Sequence, residues 1–100
     1  MNVQIQPNIA QKFVVVENND GIFLWGDPDA EFHKDIIQKM QNSGVSVIHI
    51  KGGGKLMAEK DRIYVWGKSS VYGEASFEET AGILKEKFPK HSIINKEPQE

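Results

Sequence analysis

The stretch KFVVVENNDGIFLW, Lys12 to Trp25, determines where the core of the fold begins. Its first half is rich in β-branched and aromatic residues, which favour a strand, and an apolar segment, IFLW, returns at its end. Between them, NNDG at Asn18 to Gly21 is the kind of Asn, Asp and Gly cluster that reverses a chain between strands. The stretch therefore predicts a β-hairpin, and Val3 and Ile5 are expected to add a short edge piece.

A helix is predicted directly after the hairpin. Asp27 can accept free backbone N–H groups as an N-cap, and Pro28 suits the first helical position, where no N–H is needed. The helix is expected to run to about Ser43, because Gly44 is a natural left-handed stop. Apolar residues at spacings of three and four mark its buried side: Ile36, Ile37 and Met40.

The middle of the chain predicts three further strands. VSVIHI at Val45 to Ile50 is almost continuously apolar, as expected of a central strand. The glycines at 52–54 predict a turn, followed by a short strand at Lys55 to Ala58 and a tight reversal. RIYVW at Arg62 to Trp66 predicts a strong strand, and the loop GKSSVYG leaves it.

A second helix and a last strand complete the predicted order. Ser76 with Glu79 three residues later forms a capping box that opens the helix, and Pro89 closes it. The apolar stripe of this helix comprises Phe77, Ala81, Leu84 and Phe88. With a final strand at His91 to Asn95, the order β-β-α-β-β-β-α-β predicts an α+β domain, a single mixed sheet of about six strands with two helices packed on it.

Composition limits both the size of the fold and the classes of function. One hundred residues, 39% of them hydrophobic, suit one domain spanning residues 1–100 with its core at about 12–95. Scattered Lys and Arg and a net charge of -2 argue against nucleic-acid or membrane partners. The chain has no cysteine, which excludes thiolate metal sites and cysteine-dependent phosphatases and proteases. With neither a bilayer-spanning apolar run nor a secretory signal, we expect a soluble, cytoplasmic monomer.

One histidine falls on the predicted buried side of the first helix. In DAEFHKD, Asp29 to Asp35, the helical period places His33 on the same side as the apolar residues of that helix. The dipole at a helix start disfavours imidazolium and partial burial acts in the same direction, so His33 should be neutral and able to accept a proton near pH 7. The alternative is a core histidine that is hydrogen-bonded to a carbonyl and has no chemical role.

The loop WGKSSVYG, Trp66 to Gly73, leaves a strand with two serines between two glycines. Such a loop can turn several backbone N–H groups inward as an anion-binding nest, although Gly and Ser loops are often only turns. Lys12 and Lys68 are candidates for the positive charge, or else are solvated surface lysines. The three histidines of the chain show no metal-ligand spacing, so we expect no metal.

Five segments occur along the chain in the order KFVVV, AEFHKDI, GGGKL, YVWGKSSVYG and KEKFPKHSI. In order and spacing they resemble the Janus family of phosphohistidine phosphatases, and the resemblance covers about Lys12 to Asn95. It implies a mixed sheet flanked by two helices, and a phosphatase that removes phosphate from histidine in proteins without a metal or other cofactor. The partners that it implies are a phosphohistidine-containing protein and the phosphate anion.

The resemblance also assigns site residues. His33 matches the family's catalytic histidine, which has Tyr or Phe before it and Asp two residues after it. Lys12 matches a phosphate-contacting lysine just before the first apolar strand. Ser69 and the amides of Ser70 and Val71 match the part of the loop that holds the phosphoryl group.

Four positions depart from the family's better known members. Trp25 and Lys55 stand where arginines are usual, Lys55 directly after the triple glycine. Lys68 replaces a tyrosine, and Val71 replaces a smaller alanine. These departures bear on substrate affinity and the choice of protein target, and Trp25 also fits an ordinary strand aromatic.

Three classes of function are open at this point. A phosphatase would hold the phosphoryl oxygens with Lys12 and the loop from Ser69 to Val71, while neutral His33 acts as general base on water or attacks phosphorus itself. A non-catalytic phosphate- or phosphoprotein-binding module of the same fold is the alternative that Trp25 and Lys55 favour. The third class is a plain interaction domain in which His33 is only structural.

Overall fold

The fold is that of an α+β domain, in a computed structural model that describes residues 3–99. Within those residues the element order is β-β-β-α-β-β-α-β. The strands are β1 (Val3–Gln4), β2 (Gln11–Asn18), β3 (Gly21–Asp27), β4 (His49–Ala58), β5 (Arg62–Trp66) and β6 (Ser92–Ile94), and the helices are α1 (His33–Asn42) and α2 (Phe77–Lys87).

All six strands join one mixed sheet in the order β1-β3-β2-β4-β5-β6. The predicted hairpin is confirmed, since β2 and β3 pair antiparallel and the chain reverses through Asn19 and Asp20. Gly21 follows the turn with a φ of 126°, which suits a residue without a side chain. Strand β1 is the predicted edge piece and runs parallel to β3, although Ile5 lies outside it. Strands β5 and β6 are the second parallel pair.

The two helices cover opposite faces of the sheet. Alternate residues of a strand point to opposite sides, and β2 accordingly sends Val14 and Val16 toward α1. That cluster also contains Ile36, Ile37 and Met40, so the predicted buried side of α1 is confirmed. The other face, toward α2, carries a cluster that includes Phe13, Val15, Leu24, Leu56, Ile63 and Leu84. The predicted arrangement, a mixed sheet between two helices, is therefore confirmed.

The predicted start of the first helix is wrong. Strand β3 continues through Asp27, which pairs in register with Lys12, and α1 begins only at His33. The Asp27 carboxylate accepts hydrogen bonds from the Lys39 ammonium at 2.7 Å and from the Asp29 N–H at 2.9 Å. The Asp27 carboxylate is therefore engaged away from the start of α1 and does not cap the helix. At the helix start, the Asp35 carboxylate accepts the Phe32 N–H at 2.9 Å.

The end of that helix agrees with the prediction within one residue. Helix α1 ends at Asn42, and Gly44 has the positive φ, 88°, of a left-handed stop. The strand predicted at residues 45–50 is confirmed as central, because β4 lies in the middle of the sheet, but its predicted start is wrong: β4 begins only at His49, and Ile48 is 64% exposed. The residues from 45 to 48 connect α1 to the sheet instead.

The predicted turn at the three glycines is also wrong, because β4 passes straight through them. Gly53 and Gly54 pair in register with Val14 and Phe13 of β2, and the Gly53 N–H and carbonyl bond to the backbone after β5. A side chain at Gly52 would come within 2.7 Å of the Ala75 nitrogen, which explains why glycine is required there. The glycines therefore mark a close approach of backbone to backbone rather than a reversal.

The second helix has the predicted N-cap, but within the described residues only the Ser76 half of the predicted capping box forms. Ser76 is its N-cap, and the Ser76 hydroxyl accepts the Glu79 N–H at 3.2 Å. The Glu79 carboxylate lies 3.4 Å from the Lys51 ammonium. The stripe is confirmed at Leu84, which is fully buried, and Thr80 is a buried member that the apolar pattern did not predict. The last strand is shorter than predicted, and none of the helices within residues 3–99 is long and apolar enough to span a membrane.

Candidate functional site

A cleft of about 430 Å³ lies where the start of α1 meets the loop after β5. The five residues that the sequence selected all line it, although they come from three separate parts of the chain. The full lining is Lys12, Phe32, His33, Lys34, Lys55, Lys68, Ser69, Ser70 and Val71. The roles of these residues stay predictions, but the structure brings them together.

His33 is the first residue of α1 and is only 7% exposed. Its Nε2 lies 2.9 Å from the carbonyl oxygen of Gly54. A carbonyl oxygen only accepts, so Nε2 carries the proton in the neutral ring and Nδ1 carries the lone pair. Within residues 3–99 no hydrogen bond to Nδ1 is found. A purely structural histidine is also expected to bond to a carbonyl. In His33 that contact uses only Nε2, so Nδ1 is still available as a basic nitrogen.

The ring's orientation follows from a second contact with β4. A side-chain carbon at Gly53 would lie 2.8 Å from His33 Cδ2, so the Cδ2–Nε2 edge of the imidazole rests against the strand. Nδ1 is the ring atom opposite that edge and points away from β4. The lone pair on Nδ1 therefore faces away from the sheet, and His33 is one of the residues that line the cleft.

The environment of His33 favours the neutral ring. Burial lowers the pKa of His33 below its ordinary value of 6.5, because the charged imidazolium loses hydration. The Gly54 carbonyl acts in the opposite direction and raises that pKa, while the positive charges of Lys12 and Lys55 lower it further. The direction agrees with the sequence prediction, and the two lysines are contributors that the sequence argument did not include.

Ser69 organises the loop that forms the other part of the cleft. It is 2% exposed, and its hydroxyl oxygen accepts the N–H groups of Tyr72 at 3.0 Å and Val71 at 3.3 Å. Two backbone hydrogen bonds between Ser69 and Gly73 close the loop. The Ser69 hydroxyl proton is not used in these contacts and can be donated to an anion.

The two loop amides selected by the sequence differ in their hydrogen bonding. The Val71 N–H is directed to the Ser69 hydroxyl, so it is already partly satisfied. No acceptor for the Ser70 N–H is found in the part of the chain that the structure describes. The Ser70 N–H is therefore available to a bound anion, whereas the Val71 N–H would have to exchange or share its contact with Ser69.

Gly53 connects the loop to the histidine. Its N–H donates to the Gly73 carbonyl at 3.0 Å, and its carbonyl accepts the Ala75 N–H at 3.1 Å. A side-chain carbon at Gly53 would meet Ser69 Cβ at 3.2 Å as well as the His33 ring. The imidazole and the serine therefore lie against one backbone position, which explains how distant segments converge. A turn at the three glycines, as the sequence predicts, would not give Gly53 this role.

Four lysines line the cleft, and none of the carboxylates within residues 3–99 does. Lys12 and Lys55 are direct partners across β2 and β4, so their side chains leave the same face of the sheet. Lys34 follows His33 in α1, and Lys68 belongs to the loop. Concentrated positive charge in a concave site attracts anions, although the chain as a whole has a net charge of -2.

Asp27 does not cancel this charge, despite being the register partner of Lys12. Its carboxylate forms an ion pair with Lys39 and does not line the cleft. Burial alone would raise the pKa of Asp27, but the contacts with Lys39 and the Asp29 N–H hold that pKa below its ordinary value of 3.8. Asp27 therefore stays ionised and paired with Lys39 of α1.

The four departures from the family pattern separate into two groups. Lys55, Lys68 and Val71 line the cleft, so they can affect a bound ligand directly. Trp25 packs with the α1-side cluster and lines a different groove of about 270 Å³, as expected of a strand aromatic. Phe32 and Lys34, on either side of His33, also line the cleft. The motif around His33 includes Phe32 without a role of its own, and no sequence signal points to Lys34.

The remaining histidines lie outside the cleft. His49 is exposed at the start of β4, and His91 Nε2 lies 3.1 Å from the Glu59 carbonyl oxygen. Among residues 3–99 there is no group of three or more His, Asp or Glu side chains placed to hold a metal ion. The cleft thus offers a base, a hydroxyl, an amide and ammonium groups.

Comparison with known proteins adds one match. The family model described as Janus/Ocnus family (Ocnus) matches residues 1–92 of the chain. No curated protein matches the chain.

Proposed function

The chain belongs to the Janus/Ocnus family, and from this premise we propose that it is a protein phosphohistidine phosphatase. The observation that carries the proposal is the placement of a neutral imidazole, with Nδ1 available, in the same lysine-lined cleft as the Ser69 loop. The substrate is phosphohistidine in a protein, and the bond that breaks is the P–N bond. His33, Lys12 and the loop from Ser69 to Val71 perform the reaction without a metal.

The phosphoryl group is held by charge and by hydrogen-bond donors. Phosphoryl transfer passes through a loose transition state with negative charge on the equatorial oxygens, so catalysis consists largely of positioning and electrostatic stabilisation. The Ser69 hydroxyl, the Ser70 N–H and the Lys12 ammonium are the donors that the cleft supplies. The Val71 N–H joins them when it shares its contact with Ser69.

His33 receives a proton during the reaction. In the simplest mechanism, a water oxygen attacks phosphorus as its proton passes to Nδ1, and the P–N electron pair goes to the substrate imidazole. The substrate nitrogen then takes up a proton, and inorganic phosphate leaves. The Gly54 carbonyl holds the Nε2 proton throughout, so it fixes the tautomer of the base and stabilises the imidazolium that forms.

A covalent variant uses the same residues. Nδ1 of His33 attacks phosphorus, a new P–N bond forms at His33 as the substrate bond breaks, and water hydrolyses this intermediate in a second step. The lowered pKa of His33 suits both versions, because each needs the unprotonated nitrogen. Both also need His33 itself.

A binding module without turnover is the second candidate, and two observations favour it. The Val71 N–H is engaged by Ser69, which leaves fewer open amides for the transition state. Lys55 lines the cleft where an arginine would offer two parallel hydrogen bonds to phosphate. Such a module would bind the phosphoprotein and release nothing.

Phosphate release separates the two candidates. The pure protein is incubated with a phosphohistidine protein and with phosphoramidate, and released phosphate is measured against a protein-free blank. Catalysed release from both is the expected result. Binding of the phosphohistidine protein with release at the blank rate would select the binding module. If NMR also finds no response of the His33 ring or the Ser70 amide to phosphate, the plain interaction domain remains.

A further inference from the structure

Two large apolar side chains stand exposed at the cleft. Phe32 is 54% exposed and Val71 is 73% exposed, and both line the cavity that contains His33. Exposed apolar side chains are common when scattered singly, but these two share one concave site with the proposed chemistry. A bare phosphate ion or phosphoramidate has no apolar surface for them to cover.

The cleft also carries more positive charge than a phosphoryl group neutralises. Four ammonium groups line it, whereas a phosphoryl group brings a charge of about -1.5 to -2. Lys12 is partly buried, and the other three lysines are exposed. About two positive charges are therefore left to face whatever surrounds the phosphoryl group.

The apolar residues lie close in sequence to the groups that handle phosphate. Phe32 directly precedes His33, and Val71 directly follows Ser70. Neighbouring residues in a chain are about 3.8 Å apart between Cα atoms, and this holds for the substrate as well. In a polypeptide substrate, the groups best placed to meet Phe32 and Val71 are therefore the residues next to the phosphohistidine.

We infer that the partner is a polypeptide segment in which the phosphohistidine has an apolar side chain directly beside it and acidic side chains close by. This inference rests on the proposed function and specifies its substrate class. Phe32 and Val71 cover the apolar neighbour, and Lys34, Lys55 and Lys68 face the acidic side chains. The cleft thereby selects a sequence context, and not only a phosphorylated imidazole.

Four phosphohistidine peptides test the selection. They combine a leucine or a serine beside the phosphohistidine with acidic or neutral residues further out. The kcat/KM for phosphate release and the Kd from titration are measured for the wild type and for four variants. Phe32→Ser and Lys68→Gln change the cleft, and Ile48→Ser and Lys60→Gln are matched controls, because Ile48 is 64% exposed and neither control residue lines the cleft.

The wild type should prefer leucine to serine by about tenfold, which corresponds to partial burial of one apolar side chain. Phe32→Ser should bring this ratio close to one, and serine is a good N-cap, so α1 keeps its start. Lys68→Gln should reduce the preference for acidic flanks severalfold, and added salt should do the same in the wild type. Both control variants should retain the wild-type ratios.

The result that overturns the inference is equal handling of all four peptides by the wild type, or ratios that Phe32→Ser leaves unchanged. Failure of the proposed function looks different. In that case no peptide releases phosphate, and the Kd values alone decide the present inference. A leucine preference in Kd that Phe32→Ser removes supports it, and the lack of any preference overturns it.

Discussion

His33 Nε2 lies 2.9 Å from the Gly54 carbonyl oxygen, so one edge of the imidazole is bound to the sheet. This contact assigns the proton to Nε2 and the lone pair to Nδ1 in the neutral ring. It joins the first residue of α1 to the strand that also anchors the Ser69 loop through Gly53. This hydrogen bond therefore leaves Nδ1 as the ring nitrogen that can accept a proton.

The pH dependence of activity should show this base. Burial and two neighbouring lysines lower the pKa of His33, so the neutral ring persists below the ordinary value of 6.5. We expect kcat/KM to fall on the acid side, with its midpoint below 6.5. A pH–rate profile, corrected for spontaneous hydrolysis, measures that midpoint. A midpoint above 6.5 would contradict the proposed environment of His33.

Lys12→Gln should weaken phosphate binding. Loss of one charge-assisted contact of about 1.5–3 kcal/mol corresponds to roughly a tenfold to hundredfold rise in the inhibition constant of phosphate. It should also move the acid limb of activity to higher pH, because Lys12 no longer lowers the pKa of His33. Lys60→Gln is the control, an exposed lysine outside the cleft. Equal inhibition constants of phosphate for the two variants would show that Lys12 does not contribute to phosphate binding.

Gly53→Ala should damage both stability and activity. The new methyl group would lie 2.8 Å from His33 Cδ2 and from the Phe13 carbonyl oxygen, and 3.2 Å from Ser69 Cβ. Such overpacking costs about 1–3 kcal/mol in the free energy of unfolding and displaces the base from the loop, so kcat should fall.

Gly82→Ala is the control for that substitution. Gly82 lies in α2 with nothing within 4 Å of an added carbon, and alanine there should stabilise the fold by about 0.5–1 kcal/mol. Urea unfolding and phosphate release measure both variants. Wild-type stability and kcat in Gly53→Ala would show that Gly53 does not position the site.

Asp27→Asn should reduce stability at neutral pH and change its acid dependence. The pKa of Asp27 lies below its ordinary value of 3.8, so its stabilising contribution is present above that value and is lost as pH falls through the folded-state pKa. The variant lacks the ion pair with Lys39 and should lose less stability than the wild type in this range. Urea midpoints across the acid range compare them. Identical curves would mean that the pair contributes nothing.

Local sequence patterns predicted the elements whose packing is local. The hairpin around Gly21, the apolar side of α1 and the strand at Arg62–Trp66 follow from periodicity and turn chemistry that neighbouring residues determine. The helical period also placed His33 on the buried side of α1, and the Gly and Ser loop followed from its composition. The resemblance to the Janus family then assigned the individual loop residues and Lys12, and all of them line one cleft.

The errors arose where a distant partner decides the structure. The local sequence predicts Asp27 as an N-cap, but its carboxylate binds the ammonium of Lys39, twelve residues later. The glycines at 52–54 looked like a turn, but β2 and the backbone near Ala75 hold them in a strand. Phe32 and Lys34 gained importance only when the cleft brought them beside the loop. Such partners are invisible to a window of neighbouring residues.

The most direct measurement is the rate of phosphate release from a phosphohistidine protein by the wild type, His33→Ala and His91→Ala. His91 also places Nε2 near a carbonyl oxygen, that of Glu59 at 3.1 Å, but it lies outside the cleft, so its loss controls for removal of a carbonyl-bonded imidazole. We predict wild-type turnover in folded His91→Ala and a loss of at least about a hundredfold in folded His33→Ala. Turnover in folded His33→Ala equal to that of His91→Ala would contradict the account.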